Sequence, residues 1–118
     1  MTTFKEKYDI DHRRTESADV LRQHPDRIPI ICERGLSSTL PHIDRRKFLV
    51  PKDLTYSAFL FVIRNRISLS SEQALFVMFG DDHAQMASGS TTMSEIYDQY
   101  KSDDGFLYAT YLGENTFG

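Results

Sequence analysis

The chain has 118 residues, of which 40% are hydrophobic and 26% charged, and its formal net charge is -3. That length allows one domain with a hydrophobic core and is too short for two. The apolar runs are far shorter than the roughly 18 residues that span a bilayer. The first residues, MTTFKEKYD, also lack a signal-peptide core, so we expect a cytoplasmic protein.

Charge is spread unevenly along the chain. Residues 1–66 hold 13 Lys and Arg against 9 Asp and Glu, whereas residues 67–118 hold 1 against 8. Acidic residues are interspersed through the basic half, which is unlike the clustered positive charge of a nucleic-acid interface. We therefore expect an acidic peptide or protein partner and no nucleic acid.

The N-terminal 25 residues are predicted to be helical. Phe4 and Tyr8 suggest a short helical turn, and residues 9–24 lack Gly and Pro, carry acids early and bases late, and end before Pro25. One thin apolar stripe on the longer helix consists of Ile10, Ala18, Val20 and Leu21. It predicts docking on the outside of the domain. The basic residues 12–14 are interpreted as a solvated face in preference to a partner surface.

Two strands are predicted next. Ile28 to Cys32, IPIIC, is a β-branched run typical of a buried strand, and residues 36–42 have the composition of a loop. Phe48 to Val50 form a short second strand that Pro51 closes, because proline offers no backbone N–H to a neighbour. An edge strand fits this position.

A helix follows the second strand, with Thr55 as its N-cap. Its apolar residues recur at helical spacing: Tyr56, Phe59, Leu60, Ile63 and Ile67. Ala58, Phe61 and Val62 widen this apolar face, so we expect most of the helix to be buried. Residues 57 and 64–66 are expected to face water or a partner.

The C-terminal half continues the alternation of strands and helices. Ala74 to Phe79 is a continuous apolar run, predicted to be a strand buried on both faces, and a polar loop runs from Gly80 to Thr91. Thr92 and Glu95 have capping-box spacing ahead of a short helix. Phe106 to Leu112 alternates as a final strand, and residues 113–118 are predicted to be a flexible tail.

The order of elements predicts an α+β fold of the ubiquitin-like β-grasp type with two additional N-terminal helices. Accordingly, residues 1–25 form a helical extension packed on the domain, residues 26–112 the ubiquitin-like domain, and residues 113–118 the tail.

The sequence contains no recognisable pattern of catalytic or metal-binding residues, so we expect no enzyme activity, no metal and no cofactor. Cys32 lies in a predicted buried strand, where a thiol behaves as a small apolar residue, and the histidines lack metal-ligand spacing. Asp81, Asp82 and His83 are interpreted as solvated loop residues. A small cysteine hydrolase using Cys32 remains a rival hypothesis, which predicts a solvent-reactive thiol.

Two features indicate binding and attachment instead. If Lys47 to Val50 is an edge strand, its backbone can accept an added strand, while Arg27, Arg45 and Arg46 can pair with acidic residues of that strand. Periodicity alone leaves open whether Phe48 and Val50 line pockets or belong to the core. The C-terminal Gly118 gives an unhindered carboxylate suited to activation and transfer.

Five stretches carry a resemblance over nearly the whole chain: FKEKYDIDHRR, HPDRIPIICE, IDRRKFLVPKDLT, FVIRNRI and DGFLYATYLGENTFG. They resemble the autophagy-related ubiquitin-like modifiers, the family that includes GABARAP and the microtubule-associated-protein light chains. The resemblance implies that Gly118 is joined to phosphatidylethanolamine on autophagosome membranes. Activating and conjugating enzymes, together with a processing and deconjugating cysteine protease, would be partners.

The resemblance also implies two pockets that bind acidic-aromatic motifs of cargo receptors. The first would use Glu16, Val20, Pro29, Ile31, Lys47, Leu49 and Phe106. The second would use Phe48, Val50, Pro51, Leu54, Phe59 and Val62. Three cations match positions that meet acidic groups in the family: Arg27, Arg45 and Arg66.

The sequence departs from the family pattern in the loop Gly80 to Thr92, which lacks the usual proline pair, and in TYSAF at the start of the central helix. An alternative function also remains open. In it, the chain is an unconjugated adaptor that binds peptides through the same groove and microtubule proteins through its N-terminal helices.

Overall fold

The computed structural model describes residues 2–36 and 38–113. Its elements, in chain order, are α1 (Phe4–Lys7), α2 (Ile10–Gln23), β1 (Arg27–Arg34), β2 (Lys47–Pro51), α3 (Tyr56–Arg66), β3 (Phe76–Phe79), α4 (Met93–Tyr100) and β4 (Leu107–Leu112). This order confirms the predicted α+β class. Within the described ranges, no helix is long and apolar enough to cross a membrane. Gly118 and most of the predicted tail lie outside the described residues.

The strands form one mixed sheet in the order β2-β1-β4-β3. β1 pairs with β2 antiparallel and with β4 parallel, and β3 pairs with β4 antiparallel. The central strands are therefore β1 and β4, which explains why both carry apolar side chains on both faces. β2 lies at an edge, as its closing proline predicts.

The sheet separates two apolar clusters. The larger one lies on the side of α3 and α4 and includes Phe59, Ile63 and Leu107. The smaller one lies on the other side, where Phe4 of α1 packs with Ile31, Phe106 and Tyr108. The N-terminal extension therefore covers the sheet face that the central helix leaves open.

The helix starts follow the capping residues that the sequence predicts. The Thr55 side chain accepts a hydrogen bond from Ala58 N–H at 3.2 Å, and the Thr92 side chain accepts one from Glu95 N–H at 3.2 Å. The Glu95 carboxylate then accepts a bond from the Thr92 hydroxyl instead of the backbone N–H that completes a capping box.

Two burial predictions are wrong. In α3 only Tyr56, Phe59 and Ile63 are buried, and Phe61 is 63% exposed. Two residues along a helix turn the side chain by about 200°, so Phe61 faces away from the sheet that holds Phe59. β3 begins at Phe76 and alternates between half-buried and buried residues, because it is the other edge strand and packs on the core with one face.

α2 lies on the outside of the domain, as its thin apolar stripe predicts, but its closest contacts with the domain are not made by that stripe. The only buried residue of this helix is Ser17, and Ile10 is 37% exposed. The contact with the domain is polar. Ser17 donates to the backbone carbonyl of Asp104 at 2.5 Å, and Arg13, predicted to be solvated, lies 3.1 Å from the fully buried Asp104 carboxylate.

Candidate functional site

The outer edge of β2 pairs with no other strand among residues 2–36 and 38–113, and of its outward backbone groups the carbonyl of Lys47 accepts a hydrogen bond from the Arg45 side chain. The N–H of Cys32 in β1 donates to the carbonyl of Arg46 at 2.7 Å, just before β2 begins. In an antiparallel pair, positions that bond to the neighbour alternate with positions that do not. The backbone groups of residues 46, 48 and 50 therefore point towards β1, whereas those of Lys47 and Leu49 point away from the sheet. An incoming strand can hydrogen-bond there.

The side chains of β2 alternate between the two faces of the sheet. Phe48 and Val50 point towards α3 and are 8% and 6% exposed. Lys47 and Leu49 point to the opposite face, where they lie across from Ile31 and Pro29 of β1. A strand added at this edge therefore meets a different set of side chains on each face.

The face towards α1 and α2 holds the residues of the first pocket. Ile31 and Phe106 form its floor and are 0% and 2% exposed. Lys47 Nζ lies 2.6 Å from the Glu16 carboxylate of α2 and 5.5 Å from the centroid of the Phe4 ring. This ion pair links β2 to α2, and Val20 of α2, also predicted for the first pocket, is half-buried.

The opposite face of β2 forms an open groove with α3, which we call the β2–α3 groove. Its volume is about 530 Å³, and its lining residues are Arg45, Phe48, Leu49, Val50, Pro51, Leu54, Val62, Asn65 and Arg66. Five of the six residues of the second predicted pocket therefore lie together. Phe59 does not line it, because its ring is fully buried behind Phe48, 6.3 Å away between centroids.

The predicted cations of the site differ in what they contact. Arg66 Nε lies 2.9 Å from the Asp44 carboxylate. Arg45 donates to the carbonyl of Lys47 at 3.1 Å and lies 5.4 Å from the Phe48 ring centroid. Arg27 stands opposite Pro51 in the register of β1 and β2, at the far end of the groove. Within residues 2–36 and 38–113, neither Arg27 nor Arg45 forms an ion pair, so both can meet an acidic ligand.

A second cavity lies at the N-terminal end of β2, and the sequence analysis missed it. We call it the β1–β2 loop cleft. It has a volume of about 450 Å³ and is lined by Thr2, Thr3, Cys32, Glu33, Arg34, Gly35, Leu36, His42, Ile43, Asp44, Arg45 and Arg46. Its lining residues come from three separate segments of the chain, so no local sequence pattern predicts it.

Cys32 has the environment of a structural thiol. It is fully buried, and burial raises the pKa of the thiol well above its ordinary range. A protonated, inaccessible thiol is a poor nucleophile. Within the part of the chain that the structure describes, no group of three or more His, Cys, Asp or Glu is placed to hold a metal ion.

The arrangement as a whole is suited to recognising an extended peptide. Outward-facing backbone groups can pair with the peptide, the groove can take an apolar side chain, and the cations can meet acidic residues. Sequence reasoning missed Asn65 in the groove wall. Leu49, predicted for the first pocket, points to that face of the sheet across from Pro29 and also lines the rim of the β2–α3 groove.

Comparisons with known proteins give a consistent result. A family model described as "Autophagy protein Atg8 ubiquitin like" matches residues 12–118. Similar proteins include autophagy-related protein 8 of Schizosaccharomyces pombe, 48% identical over 98% of this chain and 93% of the relative. Autophagy-related protein 8c of Arabidopsis thaliana is 47% identical over 99% and 96%. The crystal structure of Trypanosoma brucei ATG8 superposes with a TM-score of 0.87 at 43% identity, covering 97% of this chain and 96% of that one.

Proposed function

Because this chain belongs to the Atg8 family of ubiquitin-like autophagy proteins, we propose that it is a membrane-conjugated modifier that recruits receptors. Gly118 is joined to the amino group of phosphatidylethanolamine, and the β2 edge binds acidic-aromatic motifs of cargo receptors. The chain is cytoplasmic before conjugation and bound to the autophagosome membrane afterwards.

The observation that carries the recruiting role is the two-sided edge strand. The backbone of Lys47 and Leu49 points outward, the open β2–α3 groove lies on one face, and the apolar floor of Ile31 and Phe106 lies on the other. Side chains one position apart in an added strand point to opposite faces. An aromatic and an aliphatic side chain with an even number of residues between them therefore reach opposite faces of this edge.

The attachment role is supported by family membership and by the terminal glycine. The phospholipid supplies two acyl chains, and two hydrophobic anchors give stable membrane association where one gives only reversible binding. The chain itself contributes no transmembrane helix within its described residues. Its part in attachment is to present Gly118 to the activating and conjugating enzymes.

Lipid conjugation tests the attachment role. The full chain is incubated with cognate activating and conjugating enzymes, ATP and phosphatidylethanolamine liposomes, and the product is read by mass spectrometry. We expect an adduct of the phospholipid at Gly118 and none with Gly118→Ala. No adduct with the parent chain, when the enzymes conjugate a relative in parallel, would leave the unconjugated adaptor as the function.

A further inference from the structure

The β1–β2 loop cleft has two arginines without carboxylate partners. Arg34 donates to the carbonyl of Leu40 at 2.9 Å, and Arg45 donates to that of Lys47 at 3.1 Å. Over residues 2–36 and 38–113, neither guanidinium group forms an ion pair. Both line the same cavity, so two positive charges lie there without a counter-charge of their own.

The acidic residues of the cleft are engaged by other arginines. The Glu33 carboxylate lies 2.9 Å from Arg46 Nη1, and the Asp44 carboxylate lies 2.9 Å from Arg66 Nε. Guanidinium groups form their strongest hydrogen bonds with carboxylates and phosphates, and bonds to neutral carbonyls leave most of that capacity unused. The cleft therefore favours an anionic occupant.

An apolar side chain stands at the rim of this basic cleft. Leu36 lines the cleft and is 100% exposed, and the half-buried Ile43 lies in the cleft wall. A fully exposed leucine gains free energy when it leaves water for an apolar phase. Basic residues beside exposed apolar side chains bind the surface of an anionic membrane. A soluble anion would use the arginines but leave Leu36 in water.

The cleft lies at the end of the sheet where β4 finishes. β4 runs parallel to β1, so both strands leave the sheet at the same end, and there Gly35 N–H donates to the carbonyl of Tyr111 at 2.8 Å. Gly113, which follows β4, packs closely against Leu40. Attachment to a membrane beyond Gly113 therefore holds this end of the domain, and the cleft with it, near the lipid surface.

We propose that the β1–β2 loop cleft binds the phosphate of an anionic phospholipid at the membrane surface. Arg34 and Arg45 hold the phosphate, and Leu36 enters the interface beside it. The choice of a membrane as the occupant rests on the proposed lipid attachment at Gly118. The test below uses the unconjugated chain and no enzyme, so its failure would leave the attachment standing.

Co-sedimentation of the unconjugated full chain with vesicles tests the proposal. The probes are vesicles of phosphatidylcholine alone and vesicles that also contain phosphatidic acid, which has an accessible phosphate. We expect the chain to sediment with the second kind and not with the first. Arg34→Ala and, separately, Arg45→Ala should each lower the partition coefficient about fivefold, which is the usual effect of one basic residue at an anionic surface.

Arg14→Ala is the matched control. It removes the same charge from an exposed arginine that lines neither the cleft nor the β2–α3 groove. Its helix, α2, contacts the turn before β4, at the other end of that strand. Arg14→Ala should therefore bind as the parent chain does. Failure of the parent to sediment with phosphatidic acid would overturn the proposal, and so would equal losses in Arg14→Ala and Arg34→Ala, because net charge alone would then drive binding.

Leu36→Ala separates a membrane from a soluble anion. Because the side chain is fully exposed, its truncation should leave the unfolding free energy unchanged and still weaken sedimentation with phosphatidic acid vesicles. The shift of the Gly35 and Arg45 amide signals with inorganic phosphate should be the same in Leu36→Ala as in the parent. Unchanged vesicle binding in Leu36→Ala would overturn the proposal. Loss of the phosphate response in Arg34→Ala without loss of vesicle binding would also do so, because the occupant would then be a soluble anion or an acidic peptide.

Discussion

Truncating Leu49 is the sharpest test of the β2 edge as a receptor site. Its backbone points outward, its side chain lies at the rim of the β2–α3 groove, and it is 39% exposed in the free chain. Burying a leucine side chain completely is worth about 1.5–3 kcal/mol. A peptide that covers the exposed two-fifths therefore gains about 0.6–1.2 kcal/mol, so Leu49→Ala should weaken binding about three- to eightfold.

The assay is the binding of a fluorescent acidic-aromatic peptide to the full chain, read by polarisation. Phe61→Ala is the matched control, because Phe61 is a larger and more exposed apolar residue of the same domain that does not line the groove. Its affinity for the peptide should equal that of the parent chain. Equal losses in the two variants would mean that the peptide binds by general hydrophobicity, and no loss in Leu49→Ala would exclude this edge as the site.

Stability has to be measured beside affinity. About three-fifths of Leu49 is already covered in the folded chain, so its truncation also costs about 1–2 kcal/mol of folding free energy. A typical domain has about 5–15 kcal/mol, so the variant should stay folded. A urea titration of both variants separates lost binding from lost folding.

Three further predictions concern other contacts. Lys47→Ala removes the ion pair with Glu16, so it should change the unfolding free energy by less than about 1 kcal/mol. It should weaken binding of an acidic peptide more at low salt than at high salt. A loss of affinity that does not depend on salt would contradict this role of Lys47. Asp104→Asn leaves the largely buried Arg13 without its carboxylate, so urea unfolding should show that the unfolding free energy falls by about 3–5 kcal/mol. Asp81→Asn, which removes an exposed ion pair with Lys5, is the control. A smaller fall in Asp104→Asn than in Asp81→Asn would contradict the anchoring of α2. Cys32 should resist iodoacetamide in the folded chain and react after denaturation, and fast modification of folded protein would revive the cysteine hydrolase.

The fold was predictable because each element is specified locally. Thr55 and Thr92 mark helix starts, and their side chains accept the expected bonds from residues three positions further on. Pro51 marks the end of an edge strand because it offers no N–H to a ladder. The central strands were recognisable from β-branched and aromatic runs. These signals act over a few residues, so one sequence is enough to see them.

Burial in the N-terminal helix was not predictable in the same way. Hydrophobic spacing favoured the apolar stripe of α2, but the helix is fixed by Ser17 and Arg13, which contact a turn almost ninety residues later in the chain. The partner, Asp104, also accepts a hydrogen bond from Tyr108 at 2.5 Å. Burial and this bond raise the pKa of the Tyr108 phenol, so it stays protonated and donates. Polar contacts between distant segments have no periodicity that a sequence can display.

The contrast between local signals and contacts made by distant segments also explains why only half of the candidate site was predictable. Periodicity could not decide whether Phe48 and Val50 were core or pocket residues, and in the structure they are both: they are 8% and 6% exposed, and each still lines the β2–α3 groove. An edge strand permits this double role, because its side chains pack on the core while no further strand among residues 2–36 and 38–113 covers its outer side. On the other face the Lys47–Glu16 ion pair crosses an apolar floor. Displacing a partly exposed ion pair costs little, so the aromatic binding that we propose for this face requires no repacking of the core beneath it.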